Sequence, residues 1–79
     1  MSGELVYVTT HDCHFCDRGR AVLAALDVEV AEVDSDSKRA GELAARGIPL
    51  SVLPVLTDGE RVIAYGRFSE PRLRRELGL

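Results

Sequence analysis

The sequence predicts an α/β domain whose elements follow the order β-α-β-α-β-β-α. Two observations lead to this prediction. Along most of the chain, apolar segments typical of strands alternate with segments that have the apolar spacing of helices. Near residue 58, an Asp-Gly pair separates two further strand-like segments, which is typical of a β-hairpin. The chain has 79 residues, so we expect residues 1–79 to fold as a single domain.

The first strand-like segment covers residues 4–10. It is an almost continuous run of apolar and β-branched residues, Leu5-Val6-Tyr7-Val8-Thr9-Thr10. Such a run is typical of a strand that is buried on both faces. We therefore expect a central strand that is parallel to its partner.

A helix over roughly residues 14–26 is predicted next. Its apolar residues recur with helical spacing, which predicts a single face turned toward the core. These residues are Phe15, Val22, Leu23 and Leu26. Gly19 costs such a helix about 1 kcal/mol relative to Ala, so we expect another group to pack closely there. A second strand is predicted over residues 28–33.

The second half of the chain carries signals for helix ends. The segment Asp34-Ser35-Asp36-Ser37 supplies capping side chains for a helix over residues 38–46, and Gly47 is the type of residue that ends a helix. The last helix is predicted to begin after Ser69, with Pro71 in its first turn. Its apolar face carries Leu73 and Leu77.

A hairpin is predicted before the last helix. Its turn signal is Thr57-Asp58-Gly59-Glu60. Residues 54–56 and 61–65 are therefore expected to pair antiparallel. Gly66 ends the second of these strands.

The two cysteines of the chain form a C-x-x-C motif, Cys13-His14-Phe15-Cys16, at the first strand-to-helix junction. A cysteine at a helix N-terminus faces unpaired N–H groups and the positive end of the helix dipole, which favour the thiolate. Cys16 lies one turn later on the same face, so it can attack a mixed disulfide formed at Cys13. The motif therefore predicts a redox-active pair in which Cys13 attacks and Cys16 resolves.

Charged residues around the motif act in opposite directions. His11 is placed to be cationic near the Cys13 sulfur. The helix dipole disfavours a charged His14 in the first turn, so His14 is expected to shape contacts instead. Asp12 and Asp17 add negative charge, which disfavours a thiolate.

Three other interpretations of the cysteines are weaker. A zinc site would need four ligands, but His11, Cys13, His14 and Cys16 lie in so short a segment that they can hardly surround a metal ion, and no second cluster follows. A structural disulfide would close a very short loop and add little stability. Two buried, unreactive cysteines fit poorly with the polar neighbours of the motif.

Composition narrows the classes of partner. Thirteen acidic and ten basic residues give a formal net charge of −3. The one basic cluster, Arg72-Leu73-Arg74-Arg75, is typical of the exposed face of a terminal helix, so we do not expect nucleic-acid binding. No apolar stretch approaches the roughly 20 residues that span a bilayer, and no signal peptide is recognisable. We expect a cytoplasmic monomer with reduced thiols and no membrane partner.

With these features the chain resembles a glutaredoxin-like protein of the thioredoxin superfamily. The resemblance rests on the C-x-x-C motif, the proline that opens the third strand at Pro54, the Asp-Gly hairpin, and Gly66 before the last helix. It implies a thioredoxin-like fold of the glutaredoxin type, with a mixed four-stranded sheet flanked by three helices. It also implies that the bond before Pro54 is cis and that the backbone of Leu53 pairs with a bound substrate or glutathione.

The resemblance further implies a thiol–disulfide oxidoreductase that acts on disulfide-containing proteins. The predicted catalytic residues are Cys13 and Cys16, and the predicted substrate-binding residues are His11, His14, Phe15, Leu53, Pro54 and Gly66. No bound cofactor is expected. The reductant would be glutathione or a flavin-dependent reductase of the thioredoxin-reductase type.

Two departures from glutaredoxins weaken the prediction of glutathione use. Thr9, Thr10 and His11 stand where glutaredoxins usually carry a Lys or Arg that meets a glutathione carboxylate. The segment Gly66-Arg67-Phe68-Ser69-Glu70 stands where they usually have Gly-Gly followed by acidic residues. Two alternatives from other classes stay open: an iron–sulfur module in which a cluster bridges two subunits, and a non-catalytic interaction domain that uses an exposed edge of the sheet or the Arg72–Arg75 face.

Overall fold

The order of elements matches the predicted β-α-β-α-β-β-α series. A computed structural model describes residues 4–59 and 61–79. The strands are β1 (Leu5–Thr9), β2 (Ala31–Asp34), β3 (Val55–Asp58) and β4 (Arg61–Tyr65), and the helices are α1 (His14–Ala25), α2 (Lys38–Ala45) and α3 (Glu70–Leu77). Within the described residues, no helix is long and apolar enough to cross a bilayer.

The four strands form one mixed sheet in the order β2-β1-β3-β4. β1 is parallel to β2 and antiparallel to β3, and β3 is antiparallel to β4. The central position of β1 explains its apolar sequence, because a central strand is covered on both faces and Val6, Tyr7 and Val8 are at most 1% exposed. The predicted mixed four-stranded sheet is confirmed.

Each face of the sheet carries its own hydrophobic core, because successive side chains of a strand point to opposite faces. The core beneath α1 and α3 contains Tyr7, Leu23, Leu56, Ile63, Ala64, Phe68 and Leu73. The core beneath α2 contains Val6, Val8, Ala40, Leu43, Ile48 and Val55. The helix that carries the C-x-x-C motif therefore shares one face of the sheet with α3.

The face that α1 turns toward the sheet matches the prediction at Leu23, Val22 and Leu26, and differs from it at Phe15. Its buried residues are Cys16, Gly19 and Leu23, whereas Phe15 is 43% exposed. The reason is the predicted close approach at Gly19, which is confirmed: the hydroxyl of Tyr7 occupies the space where a Cβ would be. Because successive helix residues are about 100° apart, a helix with Cys16 innermost leaves Phe15 outside the core.

The turn after α1 is longer than predicted, so the second strand begins later in the sequence. Asp27 adopts a left-handed conformation with φ 57°. The N–H groups of Asp27 and Val28 donate to the carbonyls of Ala24 and Leu23 at 3.1 and 3.0 Å, an arrangement that usually has glycine in the left-handed position. Val28 is thereby held at the helix end, and β2 begins at Ala31 instead of at the predicted residue 28.

The ends of α2 and the start of α3 follow the prediction. Ser37 is the N-cap of α2, and its hydroxyl accepts the N–H of Ala40 at 3.2 Å. Gly47 follows α2 with a φ of 97°. Ser69 is the N-cap of α3, with Pro71 in the first turn. Capping signals were therefore reliable where the side chain of the cap itself makes the hydrogen bond.

β3 and β4 form the predicted hairpin, with a shifted first strand. β3 covers Val55–Asp58 instead of residues 54–56, and its last residue pairs with Arg61. Gly59 has a φ of 64°, a conformation that the turn of a tight hairpin requires. Glu60, the last residue of the predicted turn, lies outside the described residues.

Candidate active site

The C-x-x-C motif lies at the end of the sheet that contains the C-terminal end of the central strand β1. A turn through Asp12, which has φ 53°, leads from Thr9 to Cys13. Cys13 is the N-cap residue of α1, with extended φ and ψ of −107° and 104°. The strand and turn therefore place the first cysteine at the N-terminal end of the helix, as predicted.

The two cysteines are joined in a disulfide, with their Cα atoms 5.1 Å apart. Cys13 Sγ also accepts the backbone N–H of Cys16 at 3.0 Å. Cys16 is 1% exposed, whereas Cys13 is half-buried. A partner molecule can therefore reach Cys13 more readily than Cys16, which is what a first attack at Cys13 requires.

Pro54 and Gly66 lie at the same end of the sheet as the motif. Because Val8 of β1 pairs with Val55 of β3, Pro54 lies beside the end of β1. The Leu53–Pro54 bond is cis, as predicted. The N–H of Gly66 donates to the carbonyl of Pro54 at 2.7 Å. The fold thus places these predicted residues at the end of the sheet where the motif lies, and their role in substrate binding stays a prediction.

The two histidines near the motif are exposed. The side chain of His11 is 88% exposed, and its Nε2 lies 3.6 Å from a carboxylate oxygen of Asp34 at the end of β2. The ring of His14 lies beside that of Phe15, with centroids 6.1 Å apart. In residues 4–59 and 61–79, no group of three His, Cys, Asp or Glu side chains is arranged to hold a metal ion.

Arg20 links α1 to β2 through Glu32 and also pairs with Asp17 on its own helix, contacts that the sequence did not reveal. Its guanidinium donates to Asp17 at 2.8 Å and to the two oxygens of Glu32 at 2.9 and 2.6 Å. Hydrogen bonding from Arg20 lowers the pKa of Glu32, and hydrogen bonds to Glu32 and Asp17 raise the pKa of Arg20. The negative charge of Asp17, which was expected to oppose a thiolate at Cys13, is therefore compensated by Arg20.

Tyr7 supports the first turn of α1 from the core. Its hydroxyl donates to the carbonyl of Cys16 at 2.9 Å, and its ring meets Phe68 edge-on at a centroid distance of 6.4 Å. Burial raises the pKa of Tyr7 to about 12. The sequence signal for this contact is Gly19, because a glycine within a helix indicates the close approach of another group.

A groove with several arginines lies beside the motif, between α1 and α3. Its volume is about 430 Å³, and it is lined by Phe15, Arg18, Val22, Arg67, Phe68, Ser69, Glu70 and Arg72. We call it the arginine groove. Only Phe15 among these residues was a predicted site residue. No local pattern connects residues 15–22 with residues 67–72, because their proximity comes from the packing of α1 and α3 on one face of the sheet.

A mixed sheet in this order, with a C-x-x-C motif at the start of α1 and a cis proline before β3, defines a glutaredoxin-like protein of the thioredoxin superfamily. The chain belongs to the family described as "Glutathione S-transferase, N-terminal domain", whose model matches residues 8–65. The matched segment contains both cysteines and Pro54 and ends before Gly66.

Solved glutaredoxin structures share the fold of this chain. Glutaredoxin 1 from Francisella tularensis, in complex with cacodylate, is 13% identical, with a TM-score of 0.62 over 95% of this chain and 92% of that chain. A glutaredoxin from Archaeoglobus fulgidus is 15% identical, with a TM-score of 0.67 over 95% of this chain and 86% of that chain. The predicted thioredoxin-like fold is therefore confirmed. No curated protein matches the sequence significantly.

Proposed function

We propose that this protein is a small thiol–disulfide oxidoreductase that reduces protein or mixed disulfides through Cys13 and Cys16. The observation that carries the proposal is the unequal exposure of the pair: Cys13 is half-buried at the N-terminal end of α1, whereas Cys16 is 1% exposed. A dithiol that exchanges disulfides with a partner needs one sulfur that the partner can reach and a second that acts within the molecule.

The reaction proceeds in two exchanges. In the reduced protein, the Cys13 thiolate attacks one sulfur of the substrate disulfide, and the other substrate sulfur leaves as a thiolate that takes up a proton. The Cys16 thiolate then attacks Cys13 Sγ and releases the second substrate thiol. Two electrons pass from the cysteine pair to the substrate, and the protein is left with the Cys13–Cys16 disulfide that the structure contains.

The first turn of α1 favours the attacking thiolate. The N–H of Cys16 lies 3.0 Å from Cys13 Sγ, and in the reduced protein this donor and the positive end of the helix dipole stabilise negative charge on the sulfur. The hydroxyl of Tyr7 holds the carbonyl of Cys16. Tyr7 therefore acts as a positioning residue, because it fixes the turn that presents the N–H to the sulfur.

The substrate is proposed to lie along the sheet edge beside Pro54. The backbone of Leu53 precedes the cis bond at this edge, where it can pair with an extended segment of the substrate. Gly66 lies against the carbonyl of Pro54, and its left-handed φ of 62° is one that other residues rarely adopt. The exposed side chains of His11, His14 and Phe15 complete the proposed binding surface.

The reductant is proposed to be glutathione or a flavin-dependent reductase. The family description names glutathione, which supports the first of these donors. Both donors keep thiols reduced in the cytoplasm, where we place this protein as a monomer.

Two single-cysteine variants test the proposal, each serving as the control for the other. Reduced Cys13→Ser is expected to leave hydroxyethyl disulfide intact, because the reachable sulfur is gone. Reduced Cys16→Ser is expected to stop after the first exchange and to accumulate a mixed disulfide on Cys13, measured by intact mass. Wild-type activity in Cys13→Ser would overturn the proposal. Absence of an adduct on Cys13 in Cys16→Ser would indicate the non-catalytic interaction domain instead.

A further inference from the structure

The arginine groove carries a local positive charge on a chain whose net charge is −3. Its lining contains Arg18, Arg67 and Arg72 against a single acid, Glu70. Glu70 lies 3.6 Å from Arg74, which is outside the lining. Glu70 therefore interacts with an arginine outside the groove, and the groove keeps an excess of positive charge.

The three arginines of the groove have no carboxylate partner within the described part of the chain. Arg20, Arg39 and Arg74 have such partners, whereas Arg46, Arg61 and Arg75 have none among the described residues. What distinguishes Arg18, Arg67 and Arg72 is that they line one groove. Guanidinium groups bind carboxylates through two parallel hydrogen bonds. The arginines of the groove are therefore available to bind carboxylates of another molecule.

The groove begins at the C-x-x-C motif itself. Phe15 belongs to the motif, and Arg18 and Val22 follow it on the same face of α1, since residues three and four apart on a helix are neighbours. Phe68, which is 9% exposed, forms the base of the groove against Tyr7. Neither cysteine lines the groove, so a molecule that is joined to Cys13 would reach the groove past Phe15.

The distance between the cysteine and the arginines limits where a carboxylate can lie in the bound molecule. At 1.5 Å of rise per helix residue, Arg18 is about 7.5 Å along α1 from Cys13. An extended chain covers about 3.3–3.6 Å per residue. Allowing for the reach of the side chains, an acidic residue about two to four positions from the attacked cysteine meets the groove.

We propose that the arginine groove binds acidic side chains of a protein substrate, about two to four residues from the disulfide that Cys13 attacks. This inference rests on the proposed oxidoreductase function and specifies its substrate class. Charge complementarity at an exposed groove raises the rate of productive encounter more than it changes the chemistry at the sulfur. The groove thus selects among disulfides without taking part in the exchange.

The test compares two synthetic peptides that each contain one intramolecular disulfide. One carries Asp residues two to four positions from each cysteine, and the other carries Asn in the same places. Pre-reduced protein is mixed with each peptide in a single turnover, so that no further reductant is needed, and the second-order rate is followed by acid quenching, alkylation and mass. Wild type is expected to reduce the Asp peptide roughly three to ten times faster than the Asn peptide at low ionic strength.

The double variant Arg67→Gln/Arg72→Gln is expected to bring the ratio of the two rates close to one. Arg46→Gln is the matched control, because Arg46 is exposed at the end of α2, on the other face of the sheet; it removes the same kind of charge and is expected to keep the ratio. Added salt is expected to reduce the ratio in wild type.

Three results would overturn the inference. Wild type could reduce both peptides equally, or the preference for the Asp peptide could persist in the double variant. The double variant could also slow exchange with oxidised glutathione and leave the Asp peptide unaffected, in which case the groove binds the carboxylates of the small thiol. Failure of wild type to reduce hydroxyethyl disulfide would be a different result, because it would reject the proposed function together with the inference.

Discussion

Two arginines of α1, Arg18 and Arg20, lie on opposite sides of the helix and have different surroundings. Arg20 faces β2, where Glu32 binds its guanidinium at 2.6 Å, and it also pairs with Asp17 one turn earlier on α1 at 2.8 Å. Arg18 faces the arginine groove beside α3 and has no carboxylate partner among residues 4–59 and 61–79. Two arginines of one helix can therefore have different roles. The ion pair of Arg20 stabilises the packing of α1 on the sheet, whereas Arg18 is available to bind a partner.

The largest expected effect concerns Gly19, which sets the position of the whole helix and therefore of both arginines. In Gly19→Ala, the new Cβ meets the Tyr7 hydroxyl and lies 2.8 Å from Phe68 Cζ. Overpacking of this kind costs about 1–3 kcal/mol, and losing the Tyr7 hydrogen bond adds about 1 kcal/mol. The better helix propensity of Ala returns about 1 kcal/mol. We expect the free energy of unfolding in urea to fall by about 2 kcal/mol.

Gly41→Ala in α2 is the control for this prediction. A Cβ at residue 41 has nothing within 4 Å, so only the helix propensity changes. We expect a gain of about 0.5–1 kcal/mol. Equal gains in both variants would mean that α1 does not approach the sheet at Gly19.

The second effect is a loss of stability at alkaline pH caused by Tyr7. Burial raises the pKa of Tyr7 from 10.0 to about 12, so the folded protein keeps the phenol protonated where the unfolded chain has lost the proton. The protonated phenol therefore contributes fully to the free energy of unfolding below pH 10. This contribution, up to about 2 kcal/mol, is lost as pH rises toward 12. Tyr7→Phe is expected to remove this pH dependence.

Tyr65→Phe provides the control, since Tyr65 is the other tyrosine of the chain and is exposed. Chemical denaturation at a series of pH values measures the effect. The interpretation of Tyr7 would be wrong if Tyr65→Phe changed the alkaline stability as much as Tyr7→Phe.

The smallest effect tests the two arginines directly. We expect Arg20→Gln to lower the free energy of unfolding by about 1 kcal/mol at neutral pH, because exposed ion pairs contribute little each and two are lost. Arg18→Gln is expected to change it by less than about 0.5 kcal/mol. Equal losses in the two variants would contradict the assignment of Arg20 to the scaffold and Arg18 to recognition.

The pH dependence of the same pair of variants sharpens the comparison. The pKa of Glu32 is lowered in the folded protein, so its ion pair stabilises the fold above the unfolded value of about 4.5 and the contribution is lost as pH falls through the folded value. The difference between wild type and Arg20→Gln should therefore shrink in acid. The small effect of Arg18→Gln should show no such trend.

The parts of the fold that local signals specify were predictable. The C-x-x-C motif, the capping serines and the Asp-Gly turn each act within a few residues, and the order of the elements follows from them. β2 was placed too early because Asp27 takes the left-handed position that glycine usually takes after a helix. Asp adopts this conformation more often than most residues do, but the spacing of apolar residues does not show at which position it will do so.

The parts of the candidate site that depend on packing were not predictable. Phe15 has the spacing of a buried helix residue, yet Gly19 and Tyr7 set the rotation of α1 and leave it exposed. The arginine groove joins Arg18 with Arg67 and Arg72, which meet only because α1 and α3 share one face of the sheet. Such contacts require the three-dimensional structure.

The central claim is that Cys13 and Cys16 form a redox-active pair. The most direct measurement equilibrates wild type in a series of glutathione redox buffers, quenches with acid, alkylates free thiols and determines the intact mass. We expect a single two-electron transition between two alkylated thiols and the internal disulfide, with any glutathione adduct confined to Cys13. Two thiols that stay reduced and unmodified in the most oxidising buffers would contradict the claim.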